Sequence, residues 1–166
     1  MAAISTLGHA PRVVGVFRQH DLPRGEREVT LALWKVTDPG NVGTLVRTAD
    51  AFGAAITLSA GCADFLGPRA LRASAGAVFR VPLVEWHNAP GRRIALVAHD
   101  GAPLEGADLS TPVTLILGAE REGLPDDLVA QSDQVVTISL PGAAESLNVA
   151  AAGAIALYEL SRGSSG

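Results

Sequence analysis

The sequence predicts an α/β fold in which a mostly parallel sheet is covered by helices on both faces. Two observations support this prediction. Most segments rich in valine, isoleucine and leucine are continuous apolar runs with little alternation, which is typical of strands buried on both faces. Stretches with helical periodicity separate several of these runs, and strands that alternate with helices form three-layer α/β folds.

The predicted strands are short apolar segments with turn residues between them. They cover residues 12–17, 29–34, 55–59, 81–85, 94–99, 113–117 and 134–138. Glycine, proline and aspartate in the connecting segments mark the turns.

One predicted helix has a clear apolar face. Its apolar residues lie at positions 42, 45, 46, 49 and 52, which is the spacing of one side of an α-helix. Asn41, a residue type that caps helices well, stands at its start, and Gly53 stops it. Further helices are predicted over residues 68–77, 125–131 and 148–161, the last of them starting at Asn148.

The length of 166 residues fits one domain with one hydrophobic core. We divide the chain into an N-terminal segment (1–28), a catalytic-type domain (29–162) and a flexible tail (163–166). The N-terminal segment is a remnant or a lead-in that contributes the first predicted strand.

Composition excludes several classes of protein. No apolar run approaches the ~18 residues of a membrane-spanning helix. The N-terminus also lacks the basic segment followed by an apolar segment that is typical of a secretory signal. We therefore expect a cytoplasmic protein with no membrane partner. The single Cys62 excludes an internal disulfide, and the four scattered histidines show no ligand spacing, so no metal is expected.

The net charge of −4 is unusual for a protein that binds nucleic acid, because phosphate neutralisation normally supplies most of that affinity. Nearly all the basic residues are arginines, whose guanidinium groups suit phosphates and can stack on bases. Several fall in two groups, near the start of the chain and around residues 69–80. A compositional bias with simply solvated charges explains any individual arginine equally well.

Three motifs combine glycine with polar residues, each where a predicted strand leads into a loop or helix. The first is Asn41-x-Gly43-x-x-x-Arg47 followed by Phe52-Gly53. The second is Leu117-Gly118-Ala119-Glu120-x-x-Gly123-Leu124. The third is Ile138-x-Leu140-Pro141-Gly142 followed by Glu145-Ser146-Leu147-Asn148.

The positions of two glycines predict a ligand site. Gly118 and Gly142 each follow a predicted strand, and open α/β sheets bind ligands beyond the carboxyl ends of their strands. The pattern Gly-x-Gly-x-x-Gly does not occur, which disfavours a Rossmann nicotinamide or flavin site.

Together and in this order, the three motifs resemble those of the SpoU (TrmH-like) family of RNA 2′-O-ribose methyltransferases, in the SPOUT superfamily. The resemblance covers about residues 12–160. It implies a C-terminal trefoil knot whose loops form the cofactor pocket, whereas general topology rules predict an unknotted sheet. SpoU enzymes commonly place a small RNA-binding domain first. The segment before the first motif is too short for it, so we expect a naturally short member or a fragment.

The resemblance also implies the cofactor, S-adenosylmethionine, and the residues around it. Backbone groups at Gly118, Ile138 and Leu147 would hold the cofactor, with an apolar wall beside them. The full predicted set is Leu117, Gly118, Ile138, Leu140, Pro141, Gly142, Leu147 and Asn148.

The predicted catalytic residues are Arg47, Asn41, Glu120, Ser146 and Asn148. Arg47 lies off the apolar face of its helix, and Gly43 one turn earlier is expected to leave room for a substrate. In the family, an arginine at this position is proposed to help deprotonate the ribose 2′-hydroxyl. Because deprotonating a guanidinium at neutral pH costs roughly 7 kcal/mol, we favour phosphate orientation and alkoxide stabilisation, with the role of base left open.

The remaining site residues have alternative structural explanations. Asn41 and Asn148 are equally explained as N-caps. Glu120 is expected to orient Arg47 or a neighbouring loop. Ser146 is not expected to be an acyl-enzyme nucleophile, because no histidine lies in its motif and Gly-x-Ser-x-Gly is missing. A hydrogen bond from its hydroxyl to the ribose, or to Arg47, is expected instead.

The predicted partners are RNA and a second copy of the chain. SpoU proteins are dimers whose active site lies at the subunit boundary, and the small residues of the last helix permit close packing there. Residues 49–62 and 71–82 are closer to members that modify large-subunit rRNA, so we slightly prefer rRNA to tRNA. The alternative function is a non-catalytic RNA-binding or assembly module that retains the fold, which the acidic charge favours.

Overall fold

A computed structural model, which describes residues 15–163, confirms the predicted α/β fold. Six strands form one sheet in the order β2-β1-β5-β3-β6-β4, and every neighbouring pair is parallel. The strands are β1 (Val29–Leu33), β2 (Ala55–Leu58), β3 (Arg92–Leu96), β4 (Ala102–Pro103), β5 (Val113–Leu117) and β6 (Gln134–Thr137). The helices are α1 (Pro39–Ala51), α2 (Pro68–Ser74), α3 (Asp126–Ala130) and α4 (Val149–Gly163).

Helices cover both faces of the sheet, as the sequence predicts. On one face, Leu31 and Leu117 of the central strands belong to the main hydrophobic core, together with residues of α1 and α4. On the other face, Ala32 and Ile116 pack with Leu128 of α3 in a second, smaller cluster. Because successive side chains of a strand point to opposite faces, a strand covered on both sides needs apolar residues throughout.

Helix α1 begins earlier than the sequence predicts. Pro39 occupies the first turn, and Asp38 is the N-cap, whose Oδ1 accepts a hydrogen bond from the backbone N–H of Asn41 (2.9 Å). The N-cap role predicted for Asn41 is therefore wrong, because aspartate followed by proline starts the helix three residues before it. The side chain of Asn41 is consequently free of capping and lies in the site described below.

Three predicted elements need correction. Residues 81–85 form no strand and make only bridges, in which Leu83 pairs with Arg24 and Ile56. Of the predicted strand 12–17, residues 12–14 lie outside the described residues and residues 15–17 are not a strand. The helix predicted over 68–77 ends at Ser74, because Ala75 adopts the left-handed conformation at φ +48°.

The observed strands and helices differ from the predicted ones at two further places, β4 and the end of α4. Strand β4 was not predicted, and its two exposed residues pair only with β6 at the sheet edge. Gly163 ends α4, and residues 164–166 lie outside the described residues. The trefoil knot stays a prediction.

Gly43 allows α1 and α2 to pack closely. A Cβ atom at this position would lie 2.3 Å from the carbonyl oxygen of Ala70 and 2.6 Å from the Cβ of Ala73. Gly43 is buried, so the expectation that it leaves a face open for substrate is wrong. Its role is to bring α2 against the helix of the first motif.

We predict that Gly43→Ala destabilises the protein, because the clash is with backbone atoms that cannot rotate away. The expected loss in the free energy of unfolding is about 1–3 kcal/mol, typical of overpacking. Thermal unfolding followed by circular dichroism measures it. Gly106→Ala is the control, since a Cβ there meets no atom within 4 Å, and an equal loss in both variants would contradict the packing role.

Among residues 15–163, no helix has both the length and the apolar character needed to cross a bilayer. Within the same residues, no group of three or more histidine, cysteine, aspartate or glutamate side chains is arranged to hold a metal ion.

Candidate functional site

A cleft of about 590 Å³ opens at the carboxyl ends of β3, β5 and β6. Its size falls in the range of small-molecule sites. Five of the predicted cofactor residues line it, namely Leu117, Gly118, Ile138, Leu140 and Leu147. Pro141, Gly142 and Asn148 do not line it, although they belong to the same loop or its end. The third motif therefore contributes to the cleft through part of its length.

Gly118 is required by the fold of the second motif. A Cβ atom at this position would lie 2.3 Å from the carbonyl carbon of Gly123 and 2.6 Å from the backbone nitrogen of Leu124. The loop turns back on itself, with the N–H of Gly123 donating to the carbonyl of Ala119 (2.9 Å) and Gly123 at φ +66°. The loop wall of the cleft thus depends on the missing side chain at Gly118.

Three predicted catalytic residues, one from each motif, form a hydrogen-bonded chain. The Nδ2 of Asn148 donates to the Oδ1 of Asn41 (3.1 Å), and the Nδ2 of Asn41 donates to the Oε1 of Glu120 (2.9 Å). The Oδ1 of Asn148 accepts the backbone N–H of Ala150 (2.9 Å), so Asn148 caps α4 as predicted. Because its oxygen accepts the N–H at the start of α4, the amide nitrogen of Asn148 is left to donate to Asn41. Asn41 then donates in turn to Glu120, so all the hydrogen bonds of the chain run in one direction.

Ser146 lines the cleft beside this chain, whereas Arg47 lies elsewhere. Arg47 is exposed on α1 and is not part of the cleft lining. Six residues at 100° each place it about 120° around the helix from Asn41 and about 9 Å further along. In the single polypeptide, Glu120 does not orient Arg47 as expected, because the carboxylate of Glu120 accepts a hydrogen bond from Asn41 instead.

Comparison with known proteins identifies the family. Residues 28–158 match the SpoU rRNA Methylase family. The chain belongs to this family. Its membership confirms the resemblance carried by the three motifs.

Relatives in the SpoU family include two 23S rRNA methyltransferases. The chain is 39% identical over 135 residues to the 23S rRNA (guanosine(2553)-2′-O)-methyltransferase RlmP of Bacillus subtilis, covering 75% of this chain and 54% of that protein. It is 33% identical over 154 residues to the 23S rRNA (guanosine-2′-O-)-methyltransferase RlmB of Acinetobacter baylyi, covering 85% of this chain and 62% of that protein. The chain thus spans between half and two-thirds of these relatives.

Solved SpoU-type structures share the fold. An AdoMet-bound rRNA methyltransferase from Sinorhizobium meliloti has a TM-score of 0.77 at 34% identity, covering 86% of this chain and 59% of that one. The SpoU methyltransferase AviRb from Streptomyces viridochromogenes, in complex with AdoMet, has a TM-score of 0.77 at 28% identity, covering 89% and 64%.

The cleft of this SpoU domain also includes a segment that the motifs do not contain. Val97, Ala98, His99 and Asp100 follow β3 and line the cleft, and Asp100 adopts φ +62°. The sequence could have indicated this segment, because residues that follow a parallel strand lie at the ligand-binding edge of the sheet.

The charged side chains that line the cleft are mostly acidic, with Asp100, Glu120, Glu122 and Glu145 against Arg121. This balance favours a cationic ligand.

We predict that Asn41→Asp breaks the hydrogen-bonded chain, because it replaces the donor with a carboxylate that faces Glu120. Loss of the bond and repulsion between like charges should lower the free energy of unfolding by about 0.5–1 kcal/mol, because Glu120 is exposed and solvent screens its charge. Denaturant unfolding measures the change. Thr44→Asp is the matched control, since it adds the same charge at an exposed position of the same helix.

Adding Glu120→Gln to Asn41→Asp should recover most of the lost stability, because glutamine can donate to the new aspartate. No recovery in the double variant, or an equal loss in the Thr44→Asp control, would refute the contact between Asn41 and Glu120.

Proposed function

We propose that this chain is an S-adenosylmethionine-dependent methyltransferase domain that modifies a ribose 2′-hydroxyl in RNA, with rRNA preferred to tRNA. The observation that carries the proposal is the hydrogen-bonded chain from Glu120 through Asn41 to Asn148, which joins the three family motifs next to a cleft lined by the second and third of them. The names of the relatives support the rRNA preference.

The residues of the cleft fit S-adenosylmethionine. Leu117, Leu140 and Leu147 offer an apolar wall, and the loop after Gly118 offers backbone groups. The carboxylates around the opening complement a sulfonium cation. When bound, the cofactor would supply a methyl group to the ribose oxygen, which would release its proton to water, and S-adenosylhomocysteine would be the leaving group.

Positioning groups dominate the proposed mechanism. The hydroxyl of Ser146 in the cleft would bond the target ribose, and the chain through Asn41 would hold the second and third motifs together. Arg47 would orient a substrate phosphate and stabilise the developing alkoxide, since a guanidinium is a planar cation with several N–H donors. Alignment of the reacting atoms then provides much of the rate acceleration.

A homodimer would explain the position of Arg47. Helices α1 and α4 pack side by side, and within residues 15–163 no other element covers the exposed positions on their outer faces. Ile155 is 40% exposed and Tyr158 56% exposed on α4, and Arg47 lies on the outer face of α1. A second copy bound to this surface would bury both apolar side chains. Arg47 of one subunit would then lie near the cleft of the other subunit.

Analytical ultracentrifugation tests the dimer. The wild-type protein is expected to sediment as a dimer and Tyr158→Glu as a folded monomer. A wild-type monomer at micromolar concentration would refute this interface.

The methyltransferase proposal is tested by incubating the protein with isotope-labelled S-adenosylmethionine and ribosomal RNA, followed by mass spectrometry of the nucleosides. Label in a 2′-O-methylated nucleoside supports the proposal, whereas label in a base contradicts it. The alternative function, a non-catalytic RNA-binding module, is favoured by the net charge of −4 only if the cofactor also fails to bind.

A further inference from the structure

Both tryptophans of the chain and its only lysine form one cluster at the surface. The ring centroids of Trp34 and Trp86 lie 5.5 Å apart with an interplanar angle of 51°. The Nζ of Lys35 lies 5.5 Å from the centre of the Trp34 ring. Both tryptophans are half-buried and Lys35 is exposed, so within residues 15–163 the outer side of the cluster is accessible.

The backbone at Lys35 is strained. Its φ of +48° lies in the left-handed region, which is uncommon for a residue with a long side chain. The backbone N–H of Lys35 donates to the Oγ of Ser59 (2.9 Å), and this bond helps to hold the conformation. Strain of this kind concentrates at functional sites, where it fixes the direction of a side chain.

The cluster adjoins the cleft. The backbone N–H of Trp34 donates to the carbonyl of Leu117 (2.8 Å), and Leu124 packs against the same small core cluster as both tryptophans. Leu117 and Leu124 also line the cleft. A substrate that reaches the cleft from this side would therefore pass Trp34 and Lys35.

We propose that Trp34, Lys35 and Trp86 form a contact site for single-stranded RNA next to the methyl-transfer cleft. A nucleotide beside the target has an aromatic base and a phosphate, and the cluster offers a ring for the base and an ammonium for the phosphate. Stacking on an aromatic side chain contributes to the binding of each base and depends little on base sequence. The cation provides local complementarity to phosphate in a chain that is acidic overall.

Tryptophan fluorescence can report RNA binding at this cluster directly. Because both tryptophans belong to it, all tryptophan fluorescence of the protein comes from this site. Titration with a single-stranded oligouridylate at low salt is expected to quench the emission in a saturable manner. Lys35→Ala is expected to weaken binding severalfold and to reduce the salt dependence by about one phosphate contact.

Two further variants make the test specific. Arg92→Ala removes a cation at the amino end of β3, at the opposite end of the sheet from the cleft, and is expected to leave the oligouridylate affinity within twofold of wild type. Trp86→Leu is expected to weaken binding, and its thermal unfolding shows whether it remains folded. Absence of quenching in the wild-type protein, or equal affinity of Lys35→Ala and wild type, would overturn the proposal.

This inference rests on the proposed function, so both are measured on the same samples. Calorimetric titration with S-adenosylmethionine is expected to give the same affinity for wild type and Lys35→Ala. If the cofactor binds, methyl transfer occurs and the Lys35 and Trp86 variants bind RNA normally, only the contact site is refuted. If wild type neither binds cofactor nor transfers methyl, the methyltransferase proposal fails, and quenching by RNA then decides the contact site separately.

Discussion

Replacement of Gly118 by alanine is expected to abolish S-adenosylmethionine binding, with a loss of affinity above 100-fold. The new Cβ would lie 2.3 Å from the backbone of Gly123, where no side chain can rotate away. The loop over residues 118–124 must then move, and it forms one wall of the cleft. Isothermal titration calorimetry with S-adenosylmethionine measures the loss.

Gly106→Ala is the matched control for this prediction. A Cβ at Gly106 meets no atom within 4 Å, its φ is not positive, and it does not line the cleft. We expect cofactor affinity within threefold of wild type. Full affinity in Gly118→Ala would show that the cofactor does not depend on this loop, and would contradict the assignment of the cleft.

Arg47→Ala is expected to lower kcat for methyl transfer by about 10²–10³ while leaving the affinity for S-adenosylmethionine unchanged. Removing a group that stabilises developing negative charge typically costs this much. The cofactor affinity should not change, because Arg47 does not line the cleft of its own chain. Single-turnover assays with RNA, together with calorimetry, separate the two quantities. An Arg47→Ala variant with wild-type kcat would contradict the role.

Mixing two inactive variants shows whose cleft Arg47 serves. A dimer of one Arg47→Ala subunit and one Gly118→Ala subunit has an intact cleft in the first and an intact Arg47 in the second. If Arg47 acts across the interface, an equal mixture should recover roughly one quarter of wild-type activity, because half the dimers have one complete site. If the subunits exchange but the mixture recovers no activity, Arg47 acts in the active site of its own subunit.

Much of the fold could be predicted from the sequence because buried parallel strands have continuous apolar runs. This signal located β1, β2, β3, β5 and β6 within two or three residues. It failed for residues 81–85, which run beside β2 with too few backbone bonds to form a strand. It also missed β4, whose two residues are exposed and show no apolar pattern.

The site was predicted in part, and the differences have local causes. The cap at Asn148 followed from its residue type and position. The sequence predicts the start of α1 too late because aspartate and proline in a connecting segment are taken to mark a turn, although proline also favours the first turn of a helix. The hydrogen bond between Glu120 and Asn41 joins residues 79 positions apart, and no local pattern encodes it. The roles of the site residues stay predictions.

The most direct test of the account is a calorimetric titration of the purified wild-type protein with S-adenosylmethionine, because cofactor binding does not depend on finding the correct RNA. Leu147→Arg is the control, since it places a charged side chain in the apolar wall of the cleft. Wild type is expected to bind with micromolar affinity and the variant is expected not to bind. Absence of binding by a folded wild-type protein would contradict this expectation and would favour the non-catalytic RNA-binding module.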